Sequence, residues 1–111
     1  MSMDKWNIVQ TAHELLWLLC DNWDRFENGE ELDEGVAKVG GRRTEGLSAS
    51  RDGVSVDLLK VEWKRVCRVT LPDGRKIETE HLGLRDENML ADLTHYALWQ
   101  LVWALREEDA Q

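Results

Sequence analysis

The stretch "CRVTLPDGRKIET", residues 67–79, decides the fold. Pro-Asp-Gly signals a tight turn, because proline presets φ and glycine takes a positive φ without steric cost. Setting Leu71 opposite Arg75 makes Val69 face Ile77 and Cys67 face Thr79. On the other side Arg68 then faces Glu78, an opposite-charge cross-strand pair. One register therefore satisfies both faces, as an antiparallel hairpin with one buried side requires.

The period of two continues upstream. Leu59, Val61, Trp63, Cys67, Val69 and Leu71 alternate with Lys60, Glu62, Lys64, Arg68 and Thr70. That run is long for one strand, so a bend or bulge is expected near Lys64–Arg65. Val54, Val56 and Leu58 have the opposite parity, which predicts a register change at Leu58–Leu59. "SRDGV" (Ser50 to Val54) carries a second Asp-Gly turn. Two hairpins follow, over about 44–58 and 59–81.

Outside this middle the period becomes 3.6. Ile8, Ala12, Leu15, Leu16, Leu19, Trp23 and Phe26 share one face of a helix over about 4–27, with Asn28-Gly29 as its stop. The acidic stretch Glu30 to Gly35 reads as a solvated connection. Leu90, Leu93, Ala97, Leu98, Leu101 and Leu105 form the stripe of a second helix over about 86–106. Asp86 and Glu87 suit its start, and Arg106 its end. The expectation is an α+β fold in one domain, 1–111. An antiparallel sheet of about four strands would carry the N- and C-terminal helices on one face.

Charge is unevenly distributed over the 111 residues, whose net value is −8. Residues 1–35 carry −7, residues 36–81 carry +3 and residues 82–111 carry −4. Acidic flanks argue against general nucleic-acid binding, while a basic middle keeps a local site in play. No apolar run has membrane-spanning length, and Ile8 to Cys20 is interrupted by Gln10, Thr11, His13 and Glu14. No basic leader is expected before it. Cys20 and Cys67 sit singly in apolar patterns, the pattern of reduced, buried thiols in a cytosolic protein.

Chemical motifs fail one by one. Gly41 and Gly46 have the P-loop spacing, but Leu47 stands where that loop needs lysine. "GLSAS" (Gly46 to Ser50) lacks the second glycine of a nucleophile elbow and lies in a hairpin. Asp92 and His95 share a helix face at i, i+3, and Cys67 shares a sheet face with His81; neither pair makes a three-ligand site. The expectation is no metal, no cofactor and no catalytic residue.

Six tryptophans remain to be explained. Trp23 and Trp63 fall at core positions. Trp99 and Trp103, with Met89 and Tyr96, form a second stripe away from the leucines. Trp6 and Trp17 share the polar side of the first helix with Gln10, His13, Asp21 and Asp24. The plain structural account has the two helices packing side by side and covering each other's second stripe. The functional account makes Trp6, Trp17, Asp21, Asp24, Tyr96, Trp99 and Trp103 a partner-binding surface, since aromatic residues rimmed by charge are what interface hot spots are made of. The partner is then another protein or a second copy in a two-fold dimer, with no role for a membrane. The alternative is a nucleic-acid surface on the outer sheet face, through Lys60, Lys64, Arg68 and Lys76, where Glu62, Glu78 and Glu80 halve the attraction. A small acidic chain without a catalytic motif has the profile of inhibitors and adaptors, including phage-encoded ones.

Overall fold

Asp4 starts the first helix by accepting a hydrogen bond from the Trp6 backbone N–H at 3.1 Å, which satisfies one orphan donor of the first turn. Helix α1 runs Lys5–Glu27 and stops at Asn28, followed by Gly29 at φ +70°. Five strands follow: β1 (Ala37–Gly40), β2 (Thr44–Arg51), β3 (Val54–Val61), β4 (Lys64–Thr70) and β5 (Lys76–His81). All neighbours pair antiparallel, in the meander order β1-β2-β3-β4-β5. Helix α2 is Met89–Asp109. The computed structural model describes residues 4–62, 64–81 and 89–109, with side chains from 91 to 107 in the last segment. Trp63, the segment from Asp86 to the start of α2, and the side chains of Met89 and Leu90 lie outside the described residues.

The α+β class is as expected, with one strand more than the four anticipated. The extra strand is β1, four residues long and ending in glycine, too short for a period of two to register. The hairpin of residues 67–79 has the expected register: Cys67 pairs Thr79, Val69 pairs Ile77, and Arg68 pairs Glu78. The Leu71 N–H donates to the Arg75 carbonyl at 2.8 Å across the turn.

The long upstream strand is a correction. It is two strands, β3 and β4, which break after Val61 and pair antiparallel, with Val61 opposite Lys64. Glu62 takes φ +57°, a conformation for which neither glutamate nor tryptophan is a signal. No register change occurs at Leu58–Leu59; β3 pairs β2 without interruption from Val54 to Val61. Val54, Val56 and Leu58 face the helices, so Leu59 lies on the outer face, where it pairs Val66. Parity read from Cys67 through the unseen turn had placed Leu59 and Val61 on the wrong side.

Both helices cover one face of the sheet, α1 over β2 and β3, α2 over β4 and β5. Ile8, Leu15, Leu16, Leu19 and Trp23 of α1 meet Leu47, Val56, Leu58, Cys67 and Val69 of the sheet and Leu93, Ala97 and Leu101 of α2 in one core. Burial of each large side chain contributes about 1.5–3 kcal/mol, which makes this cluster the main support of the fold. The helices run antiparallel: Lys5 Nζ donates to the Leu105 carbonyl at 3.1 Å at one end, and Cys20 Sγ lies 3.3 Å from Thr94 Oγ1 toward the other.

The acidic connection is anchored to the core. Asn22 is fully buried; its amide donates to the Leu18 carbonyl and to Asp33, and its Oδ1 accepts the Asp33 backbone N–H at 2.9 Å. Arg25 holds the other Asp33 oxygen at 2.5 Å. These donors push the Asp33 carboxyl below the usual carboxylate range, with Asn22 contributing most. Leu32 and Val36 pack against the core from this segment.

Candidate binding surface

Helical spacing divides each helix into a side that meets the sheet and a side that meets water. On α1 the water side carries Trp6, Gln10, His13, Trp17, Asp21 and Asp24, all exposed. On α2 it carries His95, Tyr96, Trp99 and Trp103, also exposed. Trp6 is 65% exposed, Trp17 58%, Tyr96 56%, Trp103 55% and Trp99 50%. Trp23, on the same helix as Trp17, is 3% exposed. It stacks at 5.2 Å from Phe26 and donates its indole N–H to Glu27 at 2.6 Å. The two kinds of tryptophan expected in the sequence are therefore both present in α1.

The side-by-side account of the second stripe does not hold. The seam is formed by smaller groups, Val9 and Cys20 from α1 against Thr94, Leu98 and Val102 from α2, and it leaves Trp99 and Trp103 half in water. Five large aromatic rings are therefore at least half exposed on this layer. They divide by position. Trp6 and Trp17 border the seam from α1, and Trp99 lies close to it through His95. Helical rotation carries Tyr96 and Trp103 roughly 40–60° further round α2, toward the flank away from α1.

Two of the rings are held by one device used twice. "HELLW" (13–17) and "HYALW" (95–99) place a histidine four residues before a tryptophan on each helix. The Trp17 indole N–H donates to His13 Nε2 at 2.7 Å, and the Trp99 indole N–H donates to His95 Nε2 at 3.2 Å. His95 also meets the Tyr96 ring edge-on at 6.2 Å. A tryptophan tied in this way loses less rotamer freedom when a partner covers it. The repeated His-x-x-x-Trp spacing is the sequence signal of this device.

Between the two units the seam opens into a hollow of about 280 Å³, lined by His13, Trp17 and Cys20 on one side and Thr94, His95 and Leu98 on the other. A second hollow of about 230 Å³ lies further along, lined by Lys5, Trp6, Val9, Val102, Leu105 and Arg106. Neither thiol near this layer is poised for nucleophilic attack. Burial raises Cys20 above its ordinary value against a smaller opposing effect of the Thr94 hydrogen bond, and burial pushes Cys67 up to about 12. Cys67 and His81 share a sheet face as expected but occupy different rungs, opposite Thr79 and Arg65 respectively.

Three of the four basic residues of the alternative surface share the outer sheet face, and one does not. Lys60 is the correction: it sits on the helix side of the sheet, beside a hollow it shares with Phe26, Glu27, Lys38 and Glu45. The unseen turn at Glu62 is the reason. Lys64 and Arg68 do lie on the outer face, yet Lys64 Nζ is 3.8 Å from Glu80, and Arg68 is 2.7 Å from Glu78 and 3.8 Å from Asp57. Lys76 completes that face as an exposed residue. Gly46, which shares the P-loop spacing with Gly41, lies within β2, where a Cβ would fall 2.1 Å from the Leu58 carbonyl oxygen. That close approach is the reason for glycine there.

No protein-family model matches the chain, and neither curated proteins nor solved structures yield a match.

Proposed function

We propose that this protein is a non-enzymatic binding module of the inhibitor or adaptor type, acting in the cytosol by occupying the surface of a partner protein with the outer side of its helical layer. The observation that carries this reading is the set of five large aromatic side chains left at least half exposed on α1 and α2. Sheet and helices already share a filled core, so folding gives these rings no work. Large aromatic residues rimmed by charge, two of them tied by a histidine, are the kind that dominates interface energetics. The acids beside them add long-range attraction for a basic surface, so association weakens as salt rises. The free thiols of Cys20 and Cys67 accord with a reducing compartment.

An affinity pull-down from the native host tests this, comparing wild type with Trp6→Ala/Trp17→Ala and with Lys64→Ala/Arg68→Ala. The expected outcome is loss of a partner protein in the first variant and its retention in the second. Equal recovery by the tryptophan variant would remove the helical layer from the interface. Nuclease-sensitive capture lost only in the Lys64/Arg68 variant would transfer function to the sheet face.

A further inference from the structure

We propose that the seam between α1 and α2 receives a basic amphipathic helix of the partner protein, with large apolar residues three turns apart. This rests on reading the helical layer as the binding surface, and it specifies what lies there.

Geometry sets the shape of the occupant. The residues of α1 that line the two hollows centre near positions 7 and 17, and those of α2 near positions 104 and 94. Each helix therefore separates the hollows by ten residues, about 15 Å at 1.5 Å per residue. The line joining them follows the seam, because the helices run antiparallel and the same two ends meet at both hollows. A third helix laid along two others at a shallow angle meets them over that whole length. Its side chains at i and i+11, three turns apart, are also about 16 Å apart and on one face. Apolar side chains there would enter the hollows, while those at i+4 and i+7 would cross the saddle between them. This is a helix-in-groove mode, in which a stripe of apolar anchors gives affinity. Trp6 and Trp17 would close over the occupant from one side and Trp99 from the other.

Charge sets the sign. The two helices carry eight acids against three bases. Among the bases, Arg25 is engaged with Asp33 and Lys5 with the Leu105 carbonyl. The exposed carboxylates of Asp21 and Asp24 have no ion pair among the described residues. A second copy of this chain docked through the same layer would set acid against acid. A basic partner helix finds the unpaired acids Asp21 and Asp24 at the end of the seam beside the first hollow, and meets Lys5 and Arg106 only at the second, so the occupant is foreign and basic on balance.

The test uses three synthetic 18-residue peptides and tryptophan fluorescence, with calorimetry as a second readout. One peptide has leucines at i, i+4, i+7 and i+11 and lysine elsewhere. The second keeps the leucines with glutamate in place of lysine, and the third keeps the leucine and lysine composition but scrambles the stripe. The lysine amphipathic peptide is expected to bind in the micromolar range, at least about tenfold more tightly than either control. Trp17→Ala/Trp99→Ala, checked for folding by circular dichroism, is expected to lose about tenfold in affinity although its charge is unchanged. Lys64→Ala/Arg68→Ala is expected to bind as wild type does. Equal binding of the scrambled peptide, or undiminished binding by the tryptophan variant, would overturn the proposal. So would sedimentation of the free protein as a dimer that Trp17→Ala/Trp99→Ala dissociates, which would give the layer to a second copy. Peptide failure combined with a tryptophan-dependent pull-down would overturn only the helical occupant; a pull-down indifferent to Trp6 and Trp17 would overturn the binding surface itself.

Discussion

The molecule has two broad outer surfaces, and they are finished in opposite ways. Water meets the sheet across Lys64, Arg68, Glu78 and Glu80, charges that face opposite charges across the strands. Water meets the helical layer across five aromatic rings and carboxylates such as Asp21 and Asp24 that have no ion pair among the described residues. A surface with internally matched charge has little field left for a ligand, while exposed rings and unmatched acids retain both area and field. Overall composition hides this contrast, because the bases Lys64 and Arg68 on the sheet's outer face are already paired with acids.

The largest effect that sharpens the contrast lies within α1. Trp23→Ala should destabilise the protein by about 3–5 kcal/mol, as loss of a buried aromatic does. Trp17→Ala should change stability by less than about 0.5 kcal/mol, since its ring makes one exposed hydrogen bond. Chemical denaturation of the two variants measures both. A large loss for Trp17→Ala would make its ring structural and weaken the functional reading of the whole layer.

A second test separates structural acids from surface acids. Asn22→Ala should cost about 1–3 kcal/mol, because the Leu18 carbonyl and the Asp33 backbone N–H lose a buried partner. Asp33 itself has a folded pKa below its unfolded value. Its contribution is therefore complete above the unfolded carboxylate value, about 3.9, and is lost as pH falls through the folded value. Asp33→Asn should flatten the acid limb of a stability-versus-pH curve, whereas Asp21→Asn and Asp24→Asn should each change stability at neutral pH by less than about 0.5 kcal/mol. An equal effect from all three would erase the distinction between an anchored connection and a surface kept for a partner.

On the sheet, Arg68→Ala should cost no more than about 1 kcal/mol and less in high salt, the range for partly exposed ion pairs. Thermal unfolding at two salt concentrations checks this. A larger, salt-independent loss would show that the outer sheet face is held by more than matched charge.

The smallest effect concerns what was legible. The hairpin of residues 67–79 could be read because Pro72, Asp73 and Gly74 define a turn and both faces agree on one register. The break between β3 and β4 could not, because glutamate at position 62 is no turn signal and the apolar pattern alternates over residues 59–71 as though continuous. Glu62 nevertheless takes a left-handed conformation, imposed by the sheet that β3 and β4 complete on either side. Glu62→Asn should accordingly raise stability by about 0.5 kcal/mol, measured by denaturation, as asparagine adopts that conformation more readily. From that one unread turn came the misplacement of Leu59, Val61 and Lys60, and with it one of the four residues of the expected basic patch. The aromatic surface was legible because helical periodicity assigns sides over many residues, so no single local signal decides it. What periodicity could not supply was the seam between two helices distant in sequence, or the histidine that orients each of two tryptophans.

The claim that the helical layer is the working surface is tested most directly by nuclear magnetic resonance of the protein with the partner recovered by pull-down. Each tryptophan indole N–H gives its own signal in a chain of 12.9 kDa. Binding should shift or broaden the indole signals of Trp6, Trp17 and Trp99 and leave that of Trp23 in place. Shifts confined to backbone amides of β3, β4 and β5, with those three indoles unmoved, would contradict it.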